Sequence, residues 1–290
     1  IGHYGFKLLG QVVLVALFVL AGCVNPEPEV VNEVYLPEVV AKGRSLTHGL
    51  AACGSCHGAD GTPESPLTGG RSFSDLYGDV VASNLTRLPD GLGKWSFSEM
   101  VWSIRGGVRP DGSELSELHR GYQWLSDTDL FAIISYLRTL APAGSLHDQR
   151  VVSSLDRNTK GFFEKALKVP GSVPAIPKNF VEHYGQYLVD SVARCGSCHT
   201  FPAGLFTDSI YLGGGSVVKI PEGEMIAPNI TASVDLGIGS WSESDIVKYL
   251  RSGERPSGKM VDTRFCPTPF YSSGTEQELL AIAKYLKTVL

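Results

Sequence analysis

Cys53-Gly54-Ser55-Cys56-His57 and Cys195-Gly196-Ser197-Cys198-His199 are one five-residue stretch written twice in a chain of 290 residues. C-x-x-C followed at once by His is the attachment signature of a covalent porphyrin. The two thiols are spaced to form thioethers to its vinyl groups, and the histidine behind them falls beneath the ring as an axial ligand of the iron. C-x-x-C alone also reads as a disulfide or a redox dithiol; the trailing histidine, present both times in matching surroundings, decides against that. The sequence therefore predicts two haem c groups held by Cys53, Cys56, Cys195 and Cys198, with His57 and His199 on the iron.

Outward from the motifs, the two halves match at a period of about 145 residues, the length of a duplicated domain rather than of a solenoid repeat. Gly43 and Gly185 each stand ten residues before the first cysteine. Gly69-Gly70-Arg71 pairs with Gly213-Gly214-Gly215, Asn84-Leu85-Thr86 with Asn229-Ile230-Thr231, and Arg105 with Arg251. The expected elements repeat as well. An amphipathic helix ends at each motif (about 37–57 and 181–199), then come a glycine-rich loop, a short helix (98–105 and 243–251), an irregular loop and a terminal helix (127–140 and 276–290). Leu130, Ile133, Ile134 and Leu137, and likewise Leu279, Ile282 and Leu286, give each terminal helix one apolar stripe. The prediction is an all-α protein with haem domains at 37–143 and 179–290, joined by a linker at 144–178 with a short helix around Phe162 to Leu167.

The composition, 43% hydrophobic and 19% charged, is that of a globular protein. A net charge of −5 lacks the cation excess that a phosphate-binding surface needs, so no nucleic-acid partner is expected. Of six cysteines, Cys23 and Cys266 lie outside the motifs. An apolar run from Leu8 ends in Leu20-Ala21-Gly22-Cys23; it is short for a membrane span and has the layout of an export signal. It resembles the bacterial lipobox, which implies a lipoprotein signal peptide at 1–22, a lipidated Cys23 and a tether at 23–36. A plain signal peptide or a retained helix is the other reading. The chain begins at Ile1 rather than Met, so the start is expected upstream. The expected location is the periplasmic or cell-surface side of a bacterial membrane.

Helix to C-x-x-C-H, loop, helix, loop and closing Tyr-Leu helix resemble the class I cytochrome c fold over roughly residues 37–290. The Asn-Ile-Thr, Gly-Ile-Gly-x-Trp and Ala-Ile-x-x-Tyr-Leu blocks resemble those of cytochromes that accompany membrane-bound periplasmic dehydrogenases. The resemblance implies two such domains in tandem, passing electrons between a dehydrogenase or quinol-oxidising complex and an acceptor such as an oxidase. That family supplies its sixth iron ligand from a Met-Pro about eight residues before the last helix, and here the methionine is missing twice. His119, eight residues before Asp127, takes its register in the first half, with a surface histidine as the alternative. In the second half Met260 and Cys266 both stand open: a thioether is the commoner partner of an electron-transfer haem, whereas a thiolate lowers the potential. Met100 and Met225 read as packing, Trp95 and Trp241 as haem-edge walls. Arg105 and Arg251 read either as propionate partners or as solvated helix-end residues.

No catalytic triad, phosphate loop or carboxylate pair accompanies the motifs. The expected function is electron transfer without a substrate of its own. The alternative is a dihaem enzyme such as a thiosulfate dehydrogenase, in which Cys266 would ligate the catalytic haem.

Overall fold

Two helix crossings organise the molecule. The computed structural model describes residues 35–159, 171–201 and 208–290. Cys23, the expected signal and most of the tether, and the helix expected around Phe162 to Leu167 lie outside the described residues. In the first half α1 (Pro37–Thr47) packs across α4 (Asp127–Leu137), and in the second α6 (Val181–Tyr187) packs across α10 (Glu276–Leu286). Glycine sets both crossings. A Cβ at Gly43 would lie 1.9 Å from the Ala132 carbonyl oxygen, and one at Gly185 2.0 Å from that of Ala281. The backbones therefore touch, which accounts for a glycine ten residues ahead of each motif. The predicted stripes of α4 and α10 are buried as expected.

Between the crossings each half carries the motif helix (α2, Gly54–His57; α7, Gly196–His199), an antiparallel hairpin (β1, Ser72–Asp75, with β2, Gly78–Val81; β3, Val217–Ile220, with β4, Gly223–Ile226) and a capped helix (α3, Phe97–Gly106; α8, Glu243–Ser252). The turn α5 (Ser154–Thr159) follows the first half, and α9 (Thr268–Tyr271) precedes α10. Capping boxes begin α3 at Ser96 and Glu99, α8 at Ser242 and Asp245, and α10 at Thr275 and Glu278.

Three details differ from the sequence prediction. The fold is helical, but the glycine-rich loops contain the two hairpins, each strand only four residues long. The helix expected to run unbroken into each motif stops short, α1 at Thr47 and α6 by passing into a π turn at Leu188–Val192. The chain then swings through a left-handed residue directly before the first cysteine: Ala52 at φ 45° and Arg194 at φ 50°. Such a conformation costs a side-chain-bearing residue roughly 1–2 kcal/mol, and strain of this kind gathers at functional sites. Finally, the glycine pairing is one residue off. Gly69 N–H donates to the His57 carbonyl at 2.8 Å and Gly214 N–H to that of His199 at 2.6 Å. Gly69 and Gly214, at φ 70° and 72°, are thus the equivalent pair.

The two halves share one compact unit, Tyr35–Leu290. The Tyr187 hydroxyl donates to Asp129 and lies 3.3 Å from the Ser126 hydroxyl, and Arg71 on the first hairpin pairs with Glu222 on the second at 2.8 Å. Among the described residues no helix is long and apolar enough to cross a membrane.

Candidate cofactor sites

Each motif turns its cysteines and histidine into a cavity. The first, of about 130 Å³, is lined by Cys53, Cys56, His57, His119 and Tyr122; the second, of about 680 Å³, by Cys195, Cys198, His199, Trp241, Tyr249 and Cys266. All four motif cysteines are free thiols. Burial pushes the Cys53 thiol up to about 11 and the Cys195 thiol up to about 12.

The motif histidines are fixed by one device used twice. His57 Nδ1 donates to the Ser83 carbonyl at 2.7 Å, and His199 Nδ1 donates to the Pro228 carbonyl at 2.7 Å. A ring that donates from Nδ1 keeps its lone pair on Nε2, the nitrogen left for a metal. Burial also holds both histidines below their ordinary pKa, so each is neutral near pH 7. The carbonyls are supplied by the Asn84 and Asn229 loops. There each asparagine side chain accepts from the N–H and hydroxyl of Thr86 or Thr231.

His119 faces His57, with ring centroids 5.8 Å apart. Two metal–nitrogen bonds of about 2 Å plus the two ring radii come to roughly 6 Å. Burial and the neighbouring His57 push His119 down to about 3, and its Nδ1 is buried without a hydrogen-bond partner. The opposed imidazoles, the paired thiols and this orphaned nitrogen fit a covalently attached haem.

In the larger cavity the structure separates the two sulfur candidates. Cys266 lines the larger cavity, its thiol hydrogen-bonded with Tyr249 and raised to about 11 by burial. Met260 does not line it and is 55% exposed. The cause is a β-bridge, Glu254 to Met260, that repeats the Val108 to Glu114 bridge of the first half. Arg255 N–H donates to the Lys259 carbonyl just as Arg109 N–H donates to that of Ser113. Met260 is therefore the counterpart of Glu114, on a hairpin that carries it to the surface, whereas Cys266 borders the cavity. The two helix-end arginines have partners within the protein. Arg105 binds the Leu125 carbonyl and Asp127, and Arg251 binds the Ser272 and Gly274 carbonyls and Glu276. Each staples its helix to the start of the terminal helix. Trp241 walls the larger cavity, Trp95 lines neither, Met100 is core, and Met225 is half-buried on β4.

Sequence reasoning missed Tyr122 and Arg194. Tyr122 donates to the Ala51 carbonyl beside the first motif at 2.5 Å, and the Arg194 guanidinium stacks 3.7 Å from the centre of its ring. The one signal for Arg194 was its place directly before Cys195.

The chain is 31% identical over 254 residues to a dihaem c-type cytochrome of Cereibacter sphaeroides, an alignment covering 82% of this chain and 81% of that protein. It is 28% identical over 301 residues to the fructose dehydrogenase cytochrome subunit of Gluconobacter japonicus, covering 98% of this chain and 60% of the relative. It is also 28% identical over 274 residues to the cytochrome c subunit of a quinone-dependent alcohol dehydrogenase of Gluconobacter oxydans, covering 87% and 55%. The chain thus spans little more than half the length of these two dehydrogenase subunits. No protein-family model matches it.

Proposed function

The chain belongs to the dihaem c-type cytochromes, and from that premise we propose that it relays electrons from a membrane-bound dehydrogenase or quinol-oxidising complex to a terminal acceptor. Its cofactors are two haem c groups, each of which supplies a one-electron ferric/ferrous couple. The chain's own residues do the rest. Cys53 and Cys56, and Cys195 and Cys198, anchor the two groups, and His57 and His199 present Nε2 because their Nδ1 atoms are already committed. His119 serves as sixth ligand in a first class I domain at 37–143. Cys266 serves in a second at 179–290, becoming a thiolate on metal binding. Lipidated Cys23 holds the protein on the periplasmic or cell-surface side of a bacterial membrane, after removal of residues 1–22.

The observation that carries the relay reading is the shared wall of the two cavities. Cys56 lines both, and it borders the larger one together with Cys198. Two redox groups attached there lie side by side, as a relay requires. Relatives named as cytochrome subunits of fructose, alcohol and gluconate dehydrogenases supply the partner class.

A second reading, an enzyme acting on a sulfur compound at the Cys266 haem, is supported by that thiol's place in the cavity. One experiment separates the two. The oxidised protein is added to membranes of its host, and the α band of reduced haem is followed after adding fructose, ethanol, gluconate or thiosulfate. Reduction by an alcohol, sugar or sugar acid that needs the membranes is the relay result. Reduction by thiosulfate without membranes contradicts it and favours the enzyme.

A further inference from the structure

Arg194 is the one charged side chain, among the described residues, that lines both cavities. Loop 118–122, which carries His119, closes around it. Its Nη1 donates to the carbonyl of Leu118 and, at 3.1 Å, to that of Arg120, so the carbonyls of the two residues on either side of His119 are held by one guanidinium. Gly121 packs on its aliphatic stem: a Cβ there would lie 2.9 Å from Arg194 Cδ. Tyr122 supplies the ring beneath the guanidinium. The same arginine immediately precedes Cys195 and sits in the left-handed backbone turn that aims the second motif. Its charge faces the thiols of Cys53 and Cys56 and the phenol of Tyr122, and it makes no ion pair with a described carboxylate. Thioethers form at the vinyl edge of a porphyrin, away from the propionates, so a cation beside these thiols is not neutralised by the cofactor's own carboxylates.

We propose that Arg194 is a positioning residue shared by both sites: it clamps the loop that presents His119, and its fixed charge raises the reduction potential of both haems together. A positive charge in a poorly solvated wall favours the state holding the extra electron. On a common wall it acts on both couples. The proposal rests on the dihaem reading with His119 as a ligand.

The test is a redox titration of the two-haem protein followed by visible absorption. Arg194→Gln keeps an amide donor for the Leu118 and Arg120 carbonyls and removes the charge, whereas Arg194→Lys keeps the charge. Gln is expected to lower the reduction equilibrium constant of both haems about tenfold, which is 59 mV for a one-electron couple. Lys is expected to leave both close to wild type. Arg194→Met removes donors and charge together and is expected to loosen His119, seen as high-spin ferric haem 1; where Met does not fold, the Gln and Lys pair decides. The proposal is overturned if Gln lowers thermal stability but leaves either potential unmoved, or if Lys shifts the potentials as Gln does. The underlying reading fails separately, if the wild type takes up a single haem or if His119→Ala leaves haem 1 low-spin, and the proposal falls with it.

Discussion

His57 and His199 have their tautomers set by the polypeptide, through carbonyls 26 and 29 residues further along the chain. The sixth positions are where the halves part company. His119 is a neutral imidazole kept from protonation by burial, and Cys266 is a protonated thiol kept so by the same cause. A metal ion reverses the preference of the thiol, because coordination removes its proton outright. Thiolate ligation lowers a haem potential relative to thioether. Cys266→Met is therefore expected to raise the potential of haem 2 and leave that of haem 1 in place. Met260→Ala, at the surface hairpin, is expected to leave both spectra unchanged. A spectral change in Met260→Ala would return the sixth position to that methionine.

At the scale of elements, the crossings and the hairpins make the sharpest stability predictions. Alanine is ordinarily the better helix residue by up to about 1 kcal/mol. Gly43→Ala and Gly185→Ala should nonetheless each destabilise by about 3 kcal/mol, because the new Cβ meets backbone that cannot yield. Urea unfolding of either variant at wild-type stability would mean that the helices do not touch. The first hairpin is pinned by Asp75, which accepts from Arg150 Nη1 and Nη2 at 2.6 Å and from Ser116 Oγ at 2.6 Å. Burial alone would raise the Asp75 pKa, but these bonds outweigh it and hold the carboxyl below its ordinary 3.8. Its contribution is therefore complete above pH 3.8 and is lost as acid carries the pH down through the lowered pKa. Asp75→Asn should cost about 2 kcal/mol at pH 7 and progressively less in acid, checked by urea unfolding at both pH values.

The elements also show why some features were legible in the sequence and others were not. The stripes of α4 and α10 and the C-x-x-C-H motifs are local patterns, and local patterns survive folding. The break before each motif depends on Ala52 and Arg194 taking a left-handed conformation that neither residue type advertises. The hairpins are four-residue strands with little apolar alternation, below the length at which period 2 can be read. Met260 stood beside Cys266 in the sequence because a thioether is the commoner partner of an electron-transfer haem; the Glu254–Met260 bridge that carries it to the surface is a pairing that ligand chemistry does not reveal. Arg194 was invisible because its partners come from loop 118–122, more than 70 residues away.

For the whole molecule, the consequence is two cofactor sites that share a wall, in a protein read as tethered by its N-terminal segment. The proposed acylation of Cys23 would anchor the protein without need of a spanning helix. Cys23→Ser is expected to shift it from the membrane to the soluble fraction, with haem content unchanged. Retention after a salt wash would instead make residues 8–22 a membrane anchor. The central claim is that one chain holds two haems of unlike ligation, His57 with His119 and His199 with Cys266. Low-temperature electron paramagnetic resonance of the fully oxidised protein tests it most directly. The account predicts two low-spin ferric signals of equal intensity, one of bis-imidazole and one of imidazole–thiolate type, with the second alone removed by Cys266→Ala. A single class of signal, or two that both survive that substitution, would contradict it.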